Sequence, residues 1–202
     1  MPQTRTIYVD MDDVLCHTAQ HCLRIIQRQF GKAVAFEQLN TFDLGAACAL
    51  RAEETAELFR IVHHPDEING IEPIEGAVAA LQKWTAAGYD VAIVTGRPPT
   101  TYEASLEWLA RHQIPYQNFT VVDKYGRFET ASTIGITLSQ LAERQFCWAV
   151  EDSLPMANYL AETMSIPVAL MDRPWNRTAV EHALIGRYSR WDDIAKAWPG
   201  TD

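Results

Sequence analysis

The stretch "TIYVDMDDVLCHT" (residues 6–18) decides how this chain is read. Its apolar start, Thr6 to Val9, has the composition of a strand buried on both faces of a parallel sheet. The run ends on Asp10, with Asp12 and Asp13 directly behind it. Like charges this close repel, so a fold that places them together must offset that cost. Taken alone, the acidic end reads most simply as a solvated turn. It reads as a site only if other strand ends bring matching groups to the same place.

Four more apolar runs of the same kind follow: "YDVAIVTG" (89–96), "FTVVD" (119–123), "FCWAVED" (146–152) and "IPVALMD" (166–172). Between and after them lie helix-like stretches at 75–88, 100–113, 137–144, 153–164 and 190–198, with Gly88 as a C-terminal stop for the first. Strands alternating with helices predict an α/β fold, a doubly wound, Rossmann-like parallel sheet. Residues 17–70 break the rhythm. They hold two amphipathic helical patterns (19–31 and 51–63) and no convincing strand, which is too long for an ordinary loop. The expected organisation is therefore a core of 1–16 and 71–202, with a small helical cap, 17–70, inserted after the first strand.

The 202 residues carry 26 acidic and 17 basic side chains, a formal charge of -9. That balance argues against a nucleic-acid polymer or a membrane surface as partner, while leaving room for a local pocket for a small anion. The four cysteines, Cys16, Cys22, Cys48 and Cys147, show no CxxC pair and read as reduced thiols in a cytoplasm. No run is long enough to span a bilayer, and the N-terminus lacks a signal-peptide pattern.

In an open α/β sheet, ligands bind at the carboxyl ends of the strands. That rule gathers Asp10 and Asp12, then Thr95-Gly96-Arg97, then Asp123-Lys124, then Glu151-Asp152. Carboxylates converging without a neighbouring His or Cys favour a hard cation, Mg²⁺ before others. The Thr95 turn offers a hydroxyl and backbone N–H groups to an anion, and Lys124 offers a point charge. A carboxylate can attack phosphorus, and a second carboxylate two residues on can move the proton.

The order "DMDDVL … VTGR … DK … VEDS" resembles the haloacid dehalogenase (HAD) superfamily of phosphohydrolases. Asp10 and Asp12 match its DxD motif, Thr95 its hydroxyl motif, Lys124 its lysine motif, and Glu151 with Asp152 its acidic motif. The resemblance implies Asp10 as nucleophile and Asp12 as general acid and base, and the strand-end groups Thr95, Gly96, Arg97 and Lys124 are expected to hold the phosphate. It also implies Mg²⁺ held by Asp10, the backbone carbonyl of Asp12, and Asp152 assisted by Glu151. "LMDRPWNR" (170–177) and "YSRWDDI" (188–194) further resemble the 5'(3')-deoxyribonucleotidase family, which implies hydrolysis of nucleoside monophosphates under a small cap. Two positions depart from that family: Asp13 stands where Gly is usual, and Gly96-Arg97 where a second hydroxyl and Pro are common.

The competing reading keeps the chemistry and changes the substrate to a sugar, glycolate or other small-molecule phosphate. A dehalogenase leaves Asp12 without a use. A receiver module would carry no helical insertion after strand 1, and a non-catalytic binding module would not need the whole motif set. Other residues stay open. Arg97 either reaches a phosphate or pairs with a surface acid. Trp175 and Asn176 either touch a base or sugar or pack a loop. His17 and His21, with Cys16 and Cys22, lack the spacing of a zinc site. His63 and His64 read as a helix end, and Phe42 and Trp84 as core residues.

Overall fold

The computed structural model describes residues 5–126, 134–180 and 182–197. Seven strands form one fully parallel sheet: β1 (Thr6–Val9), β2 (Asp90–Thr95), β3 (Asn118–Asp123), β4 (Gly135–Thr137), β5 (Trp148–Glu151), β6 (Val168–Met171) and β7 (Ile185–Tyr188). Their order is β4-β3-β2-β1-β5-β6-β7. The chain builds outward from β1 to β4, then returns to the other side of β1 with β5. The direction reverses between β1 and β5, where an open sheet leaves a crevice at its carboxyl ends.

Side-chain alternation assigns the two faces. Ile7, Val9, Val91, Ile93, Trp148 and Val150 point into one apolar layer. There α5 (Ala77–Ala86), α6 (Tyr102–Arg111) and α9 (Trp191–Ala197) pack through the fully buried Trp84, Trp108 and Trp191. Tyr8, Ala92, Val94, Ala149, Val168 and Leu170 point to the opposite layer, covered by α7 (Leu138–Ala142) and α8 (Leu154–Glu162). The two layers explain why the strands read as continuous apolar runs. The last predicted helix ends on Trp198, which lies outside the described residues.

Between β1 and α5 the chain forms only helical elements: α1 (Thr18–Phe30), a 3₁₀ turn (Phe36–Gln38), α2 (Leu44–Ala47), α3 (Ala52–Val62) and α4 (Pro65–Asn69). They share an apolar cluster of their own, in which Ile25, Ile26, Leu39 and Leu58 are fully buried. Gly31 ends α1 in the left-handed conformation at φ 66°, as a C-terminal glycine should. His63 caps the end of α3 and His64 begins α4, so the two histidines do mark a helix boundary.

The structure departs from sequence expectation at both sheet edges, where β4 and β7 are short and only partly buried, and the alternation that marks a strand is lost. It also moves Phe42. This side chain is 47% exposed, not a core residue, because it belongs to an irregular segment facing the crevice.

Candidate active site

Asp10 continues β1 for one more residue, its N–H donating to the Val150 carbonyl at 3.0 Å. The chain then turns sharply at Asp13, which has φ 55°. Asp is among the few non-glycine residues that tolerate this left-handed region, so it substitutes for the usual Gly. Here it has a further use: both carboxylate oxygens accept the Ala19 N–H at 3.1 Å, in the first turn of α1.

Behind Asp10 stands Lys124, at the end of β3. Its ammonium donates to Asp10 Oδ1 and to Glu151 Oε1, each at 2.6 Å, and its side chain is only 3% exposed. Gly96 makes room for it: a Cβ there would meet Lys124 Cδ at 3.3 Å. Glu151 is fully buried and fully occupied. Its Oε1 also accepts from the Tyr8 hydroxyl at 3.0 Å, and its Oε2 accepts the N–H groups of Asp152 and Ser153 at 2.8 and 2.9 Å. Burial lowers the Lys124 pKa, but Asp10 and Glu151 outweigh it, and the net direction is well up.

Asp12 has a different partner. The Arg97 guanidinium grips it with Nε at 3.0 and 3.1 Å from the two oxygens and Nη2 at 2.7 Å from Oδ1. The Thr18 hydroxyl also donates to Oδ1. Arg97 Nη1 is tied to Ser105 Oγ at 3.2 Å, so the fork is fixed from behind. Burial would raise the Asp12 carboxyl, yet Arg97 and Thr18 hold it below the usual carboxylate range. The acid that Arg97 pairs with is therefore in the site, not on the surface.

Asp152 follows β5, immediately before the Ser153 cap of α8. Its Oδ2 accepts the Trp175 indole N–H at 2.9 Å, and its backbone carbonyl accepts from Asn176 Nδ2 at 2.6 Å. Burial, with Glu151 and Asp10 close by, pushes its pKa well up. Burial likewise raises Asp10 to about 8 against the pull of Lys124. Asp10, Glu151 and Asp152 can each offer an oxygen within 4.8 Å of the others, the one such grouping of three metal-binding side chains among the described residues. The donor set fits a hard divalent cation: buried, all oxygen, with more negative charge than Lys124 balances. His21 bonds Glu67 at 2.7 Å and Arg24 at 3.2 Å, and among the described residues no His/Cys set gathers around it.

A cavity of about 610 Å³ opens over these groups, lined by Asp10, Asp12, Gly96, Arg97, Lys124 and Asp152 on the sheet side. Thr95 and Glu151 lie one layer deeper; the Thr95 hydroxyl accepts the Arg97 N–H at 3.2 Å. The opposite wall comes from the helical segment and bears Phe42, Phe59 and His63, while Tyr125 and Trp175 stand on core loops. Thr18, Tyr8, Ser105 and Phe59 were not singled out from sequence. They orient or face the site through tertiary contacts, for which a one-dimensional pattern holds no signal.

The family model described as "5' nucleotidase, deoxy (Pyrimidine), cytosolic type C protein" matches residues 4–130. A relative from Halalkalibacterium halodurans, named as a "putative nucleotidase", is 25% identical over 190 residues, covering 94% of this chain and 90% of that protein. Among solved structures, a protein from Clostridium acetobutylicum described as a "predicted phosphatase" superposes with TM-score 0.65 at 13% identity, over 96% of this chain and 98% of that one. CbbY from Rhodobacter sphaeroides, solved with phosphate, gives TM-score 0.61 at 16% identity, over 95% and 96%.

Proposed function

This chain belongs to the cytosolic type C 5'-nucleotidase family of HAD-type phosphohydrolases, and we propose that it is a Mg²⁺-dependent phosphomonoesterase acting on nucleoside monophosphates. The observation that carries the proposal is one cavity with two chemistries. Asp10, Asp12 and Lys124 line its floor, and Phe42, Phe59, Tyr125 and Trp175 line its walls. A phosphate ester bearing a flat, largely apolar base fits that division. In this reading residues 17–70 are the cap that closes over the substrate, and 1–16 with 71–202 the core. A cytoplasmic setting accords with the family's description and with four free thiols. Among the described residues no helix is long and apolar enough to cross a membrane.

An oxygen of Asp10 attacks phosphorus while the bond to the leaving oxygen breaks, giving an aspartyl-phosphate. Asp12, which takes up a solvent proton when the phosphate dianion binds beside it, gives that proton to the departing alkoxide. Water then attacks phosphorus, Asp12 takes the water's proton, and the bond to Asp10 breaks to release phosphate. Lys124 lies against Asp10 and stabilises charge on the transferring group, while Gly96 leaves space for that ammonium. The Gly96 backbone N–H receives a phosphate oxygen, and Thr95 fixes the turn by accepting the Arg97 N–H. Arg97 orients Asp12 and favours its ionised form, which suits the base role of the second step. Asp10, Asp152 and the Asp12 backbone carbonyl would hold Mg²⁺. Glu151, whose oxygens already have four donors, acts chiefly by placing Lys124. When bound, the cation neutralises phosphate charge and keeps Asp10 ionised.

Phosphate release from a panel of monoesters tests the reading. Nucleoside monophosphates should exceed sugar phosphates and phosphoglycolate in kcat/KM, with turnover abolished by chelator and restored by Mg²⁺. Equal or better turnover of non-nucleotide esters would transfer the assignment to that substrate class. Full activity in excess chelator would remove the metal.

A further inference from the structure

The loop after β6 contains a contact that neither a phosphatase mechanism nor loop packing requires. Trp175 sits in a 3₁₀ turn (Pro174–Asn176), and its indole N–H donates to Asp152 Oδ2 at 2.9 Å. The same ring makes T-shaped contacts with two aromatic side chains from the helical segment: Phe36 at 5.6 Å between centroids and Phe42 at 6.4 Å. Next to it, Arg177 pairs with Glu37 at 2.8 Å, a second link between the same two segments.

The base of this bridge is rigid. Asn176 is 1% exposed and donates to the carbonyls of Asp152 and Met171, at 2.6 and 2.8 Å. Arg187 in turn donates to the Asn176 side chain and, at 2.7 Å, to its carbonyl. The turn is thus pinned to the sheet end, and the indole is held at Asp152 from the core side and at Phe36 and Phe42 from the helical side. A buried indole N–H needs an acceptor, and many carbonyls would serve. Here the acceptor is Asp152, the one carboxylate of the three-acid cluster that accepts no hydrogen bond from a Lys or Arg among the described residues. Outer partners of this kind fix the orientation of a ligating carboxylate.

We propose that Trp175 is a positioning residue that couples the seating of the helical segment to the orientation of Asp152, so that segment seating and divalent-cation binding favour each other. The inference rests on the cation reading above and deepens it. With Phe36 and Phe42 packed on the ring, the indole is fixed and Asp152 would keep its other oxygen for the cation. By linkage, a bound cation would hold Asp152, and through it the indole, in the position that packs against the two phenyl rings.

The test is Mg²⁺ titration by calorimetry on substrate-free protein, with hydrogen exchange of residues 36–44 measured with and without Mg²⁺. Trp175→Phe keeps an aromatic ring for Phe36 and Phe42 but removes the N–H. It should weaken Mg²⁺ affinity by about 10–100-fold and abolish the Mg²⁺-dependent protection of 36–44. The paired change Phe36→Ala with Phe42→Ala leaves the indole N–H in place, and should weaken Mg²⁺ affinity by at least about 5-fold. Affinity within twofold of wild type in Trp175→Phe would overturn the proposal, as would unchanged affinity in the Phe36/Phe42 variant. Wild-type protein that binds no Mg²⁺, or an Asp152→Asn variant that binds it normally, would instead overturn the cation reading itself.

Discussion

The Arg97–Asp12 pair supports a prediction independent of substrate and metal. Replacing Arg97 with Met keeps much of its apolar bulk and removes the guanidinium from Asp12, leaving the Thr18 hydroxyl as that carboxylate's main donor. Exposed ion pairs contribute about 0–1 kcal/mol, whereas removing one partner of a buried pair costs about 3–5 kcal/mol. Arg97 has 7% of its side chain exposed and Asp12 has 30%, which places this pair between those limits. A loss of about 2–4 kcal/mol follows for Arg97→Met, since the carboxylate is left without its cation. For a chain of this size each kcal/mol moves Tm by about 2–4 °C, so the drop should be roughly 4–16 °C. Asp12→Asn should cost less, because Arg97 keeps Ser105 Oγ and an amide oxygen can replace part of the carboxylate. The double variant is decisive. If the two groups act on each other, it should be more stable than the sum of the single losses predicts, by at least about 1.5 kcal/mol. Urea unfolding of all four proteins in chelator measures this directly. Losses that add within about 0.5 kcal/mol would refute the coupling, and with it the account of why Asp12 rests ionised.

Asp10→Asn should form no phosphoenzyme with an aryl phosphate, whereas Asp12→Asn should accumulate phosphate on Asp10, its hydrolysis slowed by about 10²–10⁴-fold. Rapid-quench labelling and peptide mapping separate the two, and label on Asp12 would reverse the roles. The metal-free protein should also lose stability as pH rises from about 4 to about 8. Asp10 and Asp13 hold their protons in the folded state up to about 8 and about 7, whereas unfolded carboxyls ionise near 4. The folded state therefore binds more protons across that window, and each such group costs about 1.4 kcal/mol per pH unit. Saturating Mg²⁺ should flatten the decline. Chelated protein whose urea midpoint rises from pH 5 to pH 8 would contradict the burial argument.

Those charges were legible before the structure because β1, β2, β3 and β5 are buried on both faces, and their polar ends stand out against apolar runs. β4 and β7 were not, because an edge strand needs only one covered flank. "GIT" and "IGRY" show neither an apolar run nor clean alternation. The same contrast divides the site. Asp10, Asp12, Gly96, Arg97, Lys124 and Asp152 line one cavity, as strand-end placement implies. The partner of Arg97 could not be read, because it depends on β1 and β2 being neighbours in register, which no local pattern encodes. Phe42 was misread for a related reason: in an irregular segment, an aromatic residue carries no phase that says which way it faces.

The pairings also refine how the acidic turn is tolerated. One shared cation is not required to hold Asp10, Asp12 and Asp13 together, because each has a local partner, although those of Asp10 and Asp13 do not offset burial. Asp10 has Lys124, Asp12 has Arg97, and Asp13 accepts a helix-terminal N–H. The imbalance lies one strand away. Glu151 competes with Asp10 for the same ammonium, and Asp152 takes only a neutral indole N–H among the described residues. Two carboxylates beside β5 therefore add charge that Lys124 and the nearby Arg173 do not fully balance, and burial together with this crowding pushes both Asp10 and Asp152 toward protonation. A group of acids that must otherwise hold protons is the condition under which a hard cation binds by displacing them. Mg²⁺ binding should accordingly release protons at neutral pH, and calorimetry in buffers of different ionisation enthalpy would count them. No proton release at pH 7 would mean the cluster is already ionised, and that the charge imbalance does not select the cation.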